Sequence, residues 1–183
     1  MTARSNSAQL LWLDMEMSGL DVEKEVPIEV AAIVTDWQLG PLGEPYHAII
    51  KQPQKYLDAM DDWNRKHHGE SGLLAAIPNG RDPSEVDSEL AALVRRHFGT
   101  ERAILAGNSI SQDRLFIRPY MPKLDATLHY RMLDVTAWKV MFNGAYNLRF
   151  KKNDVHRALD DILESMNELK YYMSFIKPGV PNA

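Results

Sequence analysis

Leu10-Leu11-Trp12-Leu13-Asp14-Met15-Glu16-Met17 is a run of large apolar residues interrupted by two acids, with the turn-like Ser18-Gly19 behind it. A segment so rich in bulky side chains reads as an interior strand. Side chains alternate along a strand, so Asp14 and Glu16 share one face while Leu13 and Met15 share the other. Neighbouring carboxylates repel each other and resist desolvation, so this pair requires an offsetting positive charge. A bound divalent cation supplies one.

The flanking segments build a sheet around this strand. Pro27-Ile28-Glu29-Val30-Ala31-Ala32-Ile33-Val34-Thr35 reads as a second strand and Pro45-Tyr46-His47-Ala48-Ile49-Ile50 as a third, with Gly40-Pro41-Leu42-Gly43 turning between them. Such short connections favour an antiparallel meander. Pro83-Ser84 opens a helix whose Val86, Leu90, Leu93 and Val94 fall on one face, and Gly99 closes it. Residues 102–108 read as a fourth strand, and the helix before it permits a parallel crossover onto the first. Residues 112–119 look helical, and 129–135 read as a short fifth strand. In the last segment Leu159, Ile162, Met166, Leu169, Met173 and Ile176 form a one-sided stripe, with Asn153 or Asp154 placed to cap the helix. The order βββαβαβα implies an α/β class: a three-layer domain with a mixed five-stranded sheet flanked by helices.

With 183 residues, 45% of them apolar, the chain suits a single domain over 1–183, with residues 1–8 and 177–183 expected to be flexible ends. No apolar stretch is long enough to span a membrane, and the polar segment 1–8 lacks a secretory core, so the expected location is cytoplasmic. The absence of cysteine excludes disulfides and thiolate catalysis. A net charge of -4 argues against tracking along long nucleic acid and leaves a short substrate open. Arg149, Lys151, Lys152 and Arg157 form either a local cationic rim or an ordinary solvated surface.

Two later segments offer partners for the acidic pair. Residues 105–113, Leu-Ala-Gly-Asn-Ser-Ile-Ser-Gln-Asp, carry the chain from a strand end into a helix and deliver Asp113, which suits either a ligand or a helix-dipole partner. His156-Arg157-Ala158-Leu159-Asp160-Asp161 opens the final helix. His156 and Asp161 stand five residues apart, roughly 140° around a helix, so they do not share a metal as an i, i+4 pair would. Asp161 can reach inward, and a histidine of near-neutral pKa suits removing a proton from water. His67-His68-Gly69-Glu70 has neither zinc-motif spacing, which argues against zinc. Asp14, Glu16, Asp113 and Asp161 together make an all-oxygen set suited to Mg²⁺ or Mn²⁺, and four acids can hold two ions about 3.5–4 Å apart.

The three ordered motifs, Asp14-x-Glu16, Asn108 followed by Asp113, and His156 followed by Asp161, resemble those of the DEDDh family of 3′-to-5′ exonucleases. The resemblance runs from about Leu10 to Ile176 and is strongest to the branch acting on very short RNA. It also rests on Asp14-Met15-Glu16-Met17-Ser18-Gly19-Leu20, residues 107–113, and residues 158–161 with Glu168-Leu169-Lys170-Tyr171-Tyr172. It implies a ribonuclease H-like fold, two divalent cations held by Asp14, Glu16, Asp113 and Asp161, and His156 as general base. It further implies a homodimer that cleaves 5′-phosphorylated dinucleotides to 5′-mononucleotides. Leu20 matches a residue that wedges between the bases, Trp63 and His68 line the nucleotide pocket, and Ser109, Arg131 and Thr136 match contacts to the 5′-phosphate. Tyr130 matches a tyrosine that reaches in from the partner subunit. Departures are Thr136 in place of the family's usual serine, Pro27 in place of an aliphatic residue, and a poorly matched segment from Asn143 to Asn153. Two rival readings follow from the same residues: a DNA-directed exonuclease of the same superfamily, and a binding module that keeps the fold without catalysis.

Overall fold

The computed structural model describes residues 9–151 and 157–176. The two expected flexible ends, the candidate base His156 and the candidate caps Asn153 and Asp154 lie outside them.

Strand β1 (Leu10–Met17) runs through the centre of a five-stranded sheet, because every second residue on each of its faces has a packed helix to meet. On one side, β2 (Pro27–Thr35) pairs antiparallel with it from Leu10↔Thr35 to Glu16↔Glu29, and β3 (Tyr46–Ile49) continues the meander. On the other, β4 (Ala103–Gly107) and β5 (Leu128–Asp134) run parallel to β1, giving the order β3-β2-β1-β4-β5. The mixed α/β sheet read from the sequence is therefore the observed one.

The helices divide between the two faces. Leu11, Leu13 and Met15 of β1 pack with Val86, Leu90 and Val94 of α4 (Pro83–Phe98) and with Phe116 and Ile117 of α5 (Ile110–Tyr120). Leu10 and Trp12 point the other way, into Val135 of α7 (Val135–Tyr146) and Ala158, Ile162, Met166 and Leu169 of α8 (Ala158–Met173). Each large side chain buried this way contributes about 1.5–3 kcal/mol. Continuing the alternation of Leu10 and Trp12 places Asp14 and Glu16 on the α8 side.

Several elements escape the periodicity argument. Between β3 and α4 lie α1 (Gln54–Ala59), α2 (Asp62–Glu70), α3 (Leu73–Ala76) and a 3₁₀ turn at Ile77–Asn79. α2 buries only His68, so it carries no apolar stripe, and its signal is the cap at Asp61, which accepts from Asn64 N–H at 2.7 Å. α6 (Pro122–Asp125) is a single turn. α7 leaves Val140, Met141 and Tyr146 exposed, so its apolar residues do not mark one face.

Candidate active site

The site begins where β1 outruns β4. Their pairing ends at Trp12↔Ala106, and farther on the Met15 N–H donates instead to Asp113 Oδ1 at 3.0 Å. Gly107 permits the approach, because a Cβ there would stand 2.8 Å from the Leu13 carbonyl oxygen. Asp113 is thus carried in the first turn of α5, buried against the backbone of the strand that bears the acidic pair.

From the opposite face, α8 delivers Asp161. Asp14, Glu16 and Asp161 each offer a carboxylate oxygen, and these atoms lie within 4.8 Å of one another. Three of the four expected acids therefore converge, while the fourth, Asp113, sits beside them with one oxygen engaged by β1. Burial, with the negative charges of Asp161 and Glu29, pushes the Glu16 carboxyl up to about 7 against the opposing pull of Arg157. Burial likewise pushes Asp113 up to about 8; the Met15 N–H opposes this, and Glu16 and Asp134 add to it. A hard divalent cation fits this donor set, since it prefers carboxylate oxygens and relieves the repulsion that raises both carboxyls.

Sequence reasoning passed over Glu29. It is 0% exposed, lies opposite Glu16 in the β1–β2 register, and stands in an otherwise apolar strand. Arg157 Nε and Nη2 donate to Glu29 Oε1 at 2.9 and 2.6 Å, His47 Nε2 lies 2.7 Å from the same oxygen, and Ala158 N–H donates to Oε2 at 3.3 Å. Burial alone would raise this carboxyl, but these hydrogen bonds hold it below its ordinary value. Among the described residues, Arg157 stands at the start of α8 without capping it by its own side chain, and the first N–H of the helix is met from β2 by Glu29. Arg157, half-buried, is committed to this ion pair, which takes it out of the expected cationic rim. The signal of Glu29 in the sequence is the same as in β1: an acid inside an apolar strand.

The expected pocket residues fall into two groups. Leu20 is 73% exposed and Trp63 67%, which rules out a core role for either. Leu20 rides on a well-tied loop: its carbonyl accepts from Gln112 Nε2 at 3.2 Å, and Tyr120 Oη donates to the carbonyls of Val22 and Glu25. Ser18 Oγ meets the Glu25 carboxylate and accepts from Val26 N–H. Trp63 stacks on His67 with ring centroids 4.7 Å apart. His68 is buried, with Nε2 3.0 Å from the Met17 carbonyl and Nδ1 4.0 Å from Glu16 Oε2, and burial lowers its pKa. It braces the end of β1 from below the surface.

The second group lies past β4, on the edge strand β5 and in the first turn of α7. Ser109 N–H donates to Asp134 Oδ1 at 3.0 Å and Thr136 Oγ1 at 2.8 Å, and the two hydroxyls are 3.0 Å apart. Arg131 lies over the Tyr130 ring, 5.2 Å from its centroid, and Tyr130 is 74% exposed.

Comparison with known proteins identifies the family. The model of a family described as Exonuclease matches residues 11–169. The human protein named mitochondrial oligoribonuclease is 41% identical over 96% of this chain and 77% of its own. The oligoribonuclease of Thiobacillus denitrificans is 41% identical over 91% of this chain and 94% of its own. Among solved structures, exonuclease I from Methylocaldum szegediense superposes with a TM-score of 0.73 at 16% identity, covering 92% of this chain. Escherichia coli exonuclease I, solved with a dT13 oligonucleotide, gives 0.69 at 17%. This chain spans only 41% of either exonuclease I, and at such identity the likeness establishes the ribonuclease H-like fold alone. The family match across the sheet and α8, with the close relatives over nearly the whole length, shows that the chain belongs to the exonuclease family and, within it, to the oligoribonucleases.

Proposed function

We propose that the chain is a metal-dependent 3′-to-5′ exoribonuclease whose chief substrates are 5′-phosphorylated dinucleotides, released as 5′-mononucleotides. The observation that carries the chemistry is the convergence of Asp14, Glu16 and Asp161 beside Asp113. In this reading the four acids hold two divalent cations, Mg²⁺ or Mn²⁺, which when bound offset the charge of the scissile phosphate and make water more acidic. His156 takes the proton from the attacking water. The water oxygen bonds to phosphorus, the bond from phosphorus to the 3′-oxygen breaks, and that oxygen leaves with a proton from solvent.

Length selection rests on the two ends of the pocket. Exposed Leu20 and Trp63 offer apolar surface for stacking, which holds any base because every base has a π-face. Ser109, Arg131 and Thr136 form the cap for the terminal phosphate, where an arginine fork recognises two oxygens and leaves no exit for a continuing chain. His68 supports the pocket from beneath. The homodimer belongs to the same proposal. It is supported by Tyr130 and Met132 on edge strand β5 and by Val140, Met141 and Tyr146 on α7, all exposed. A cytoplasmic location belongs to the same proposal.

The test is a series of 5′-phosphorylated oligoribonucleotides of increasing length, with Mn²⁺ and with a chelator. Turnover should be highest for the dinucleotide, decline sharply with length and stop with the chelator. An intact dinucleotide in the presence of metal, or a rate that rises with length, contradicts the proposal.

A further inference from the structure

Glu168 is the one acid among the buried residues of α8, and the sequence motif that contains it has no part in the chemistry above. A carboxylate that is 1% exposed must be held by donors. Asn108 Nδ2 donates to Oε2 at 3.0 Å, and Tyr172 Oη donates to Oε1 at 3.0 Å. Burial and the Glu168 carboxylate push the Tyr172 hydroxyl up to about 12, so it stays a donor.

The bond to Asn108 has a consequence at the surface. The other hydrogen of the Asn108 amide goes to Ser165 Oγ at 2.8 Å, so both amide hydrogens point into α8. The amide is thereby oriented with Oδ1 toward Thr136, whose Oγ1 lies 3.3 Å away and donates to it. With its proton turned inward, Thr136 Oγ1 presents lone pairs outward and accepts the Ser109 N–H at 2.8 Å. Ser109 needs that support, because it sits at φ 50°, a left-handed conformation uncommon for a serine. Polarity therefore runs from the buried carboxylate through Asn108 and Thr136 to Ser109, whose hydroxyl is the outermost donor and the one able to turn to an anion.

We propose that Glu168 is a positioning residue which, through Asn108, aligns the Ser109–Thr136 hydroxyl pair and so sets the preference for a 5′-phosphorylated end. This rests on the phosphate-cap reading given above. Glu168 touches no substrate in this role; it acts through the orientation of the Asn108 amide.

The test compares kcat and KM for a 5′-phosphorylated and a 5′-hydroxyl diribonucleotide of the same sequence, at saturating Mn²⁺. Glu168→Leu, which removes the acceptor, should cut the preference for the phosphorylated substrate by about tenfold, as loss of a hydrogen bond to a charged group predicts. The change should appear in KM, with kcat on the 5′-hydroxyl substrate and the Mn²⁺ requirement unchanged. Glu168→Gln keeps an acceptor of the same shape and should lose only about threefold, which preserves the test if the leucine variant does not fold. Tyr172→Phe is the control: it removes a donor to the other carboxylate oxygen and should lower the melting temperature while leaving the preference intact. The proposal is overturned if the Glu168 variants lose stability with an unchanged preference, or lose both substrates equally. A parent enzyme with no preference refutes the phosphate cap itself, an outcome read before any variant is made.

Discussion

Glu29 and Arg157, 128 residues apart in the chain, meet as a forked ion pair next to the acidic triad, with Arg157 Nη2 2.6 Å from Glu29 Oε1. The same carboxylate receives the Ala158 N–H, so one buried side chain of β2 both closes the start of α8 and lies opposite Glu16. Asp161, in the first turn of α8, hangs from this joint: its N–H donates to the Arg157 carbonyl at 3.0 Å. Removing Arg157 leaves the fully buried Glu29 carboxylate without its main counter-charge, whereas removing Glu29 leaves a guanidinium that solvent reaches. Arg157→Ala should therefore cost about 3–5 kcal/mol in denaturant unfolding, and Glu29→Ala less. The double variant Glu29→Ala/Arg157→Ala should cost less than the sum of the two single variants; strict additivity would show that the pair does not couple the helix to the sheet.

The raised carboxyls set a pH dependence. Glu16 titrates near 7 in the folded chain against about 4.5 when unfolded, and Asp113 near 8 against about 3.8. Both bind protons more tightly when folded, so their contribution to stability is complete below the unfolded values and is lost as pH climbs toward 8. In chelator, the melting temperature should fall between pH 5 and 8.5. Mn²⁺ should reverse the fall and displace protons on binding near pH 6.5, measured by titration calorimetry in buffers of different ionisation enthalpy. Binding at that pH with no proton release would contradict the shared charge of the site.

Asp14→Asn separates folding from chemistry. It removes a ligand and one negative charge together, so the ion-free variant should be as stable as the parent or more so. Loss of an outer partner of a metal ligand costs about 10–100-fold in affinity, and loss of a ligand should exceed this. Calorimetric titration with Mn²⁺ and a turnover assay check both arms; an active variant would remove Asp14 from the proposed set.

Trp63→Ala tests the stacking surface. With a base stacked on the indole, the loss should be about 1–3 kcal/mol, or roughly 5–150-fold in KM, with kcat and the Mn²⁺ requirement little altered. An unchanged KM would show that the exposed indole serves another partner.

How far the sequence could be read follows from what each element buries. β1 and β2 carry their signal in unbroken apolar runs, so their bounds match the reading of residues 10–17 and 27–35 closely. α4 matches its one-sided stripe, and α8 does so from Ile162 to Leu169, but Met173 and Ile176, read as part of that stripe, are exposed and the helix ends at Met173. α2 and α7 were not legible in this way, because the first is polar almost throughout and the second leaves apolar residues exposed. Alternation alone joined Asp14 to Glu16, and the family resemblance added Asp161. Glu29 and Glu168 could not be placed by either, since each acts through a partner far away in the chain, Arg157 and Asn108. An acid buried within an apolar strand or helix face is legible as an anomaly, but only the folded arrangement identifies its partner.

The central claim is that acids from three separate elements hold a pair of divalent cations. Anomalous scattering from crystals grown with Mn²⁺ tests it most directly. Two manganese peaks about 4 Å apart, bounded by Asp14, Glu16, Asp113 and Asp161, are the result expected of this site. No peak among these carboxylates at saturating Mn²⁺, or peaks bound only elsewhere on the molecule, would contradict it.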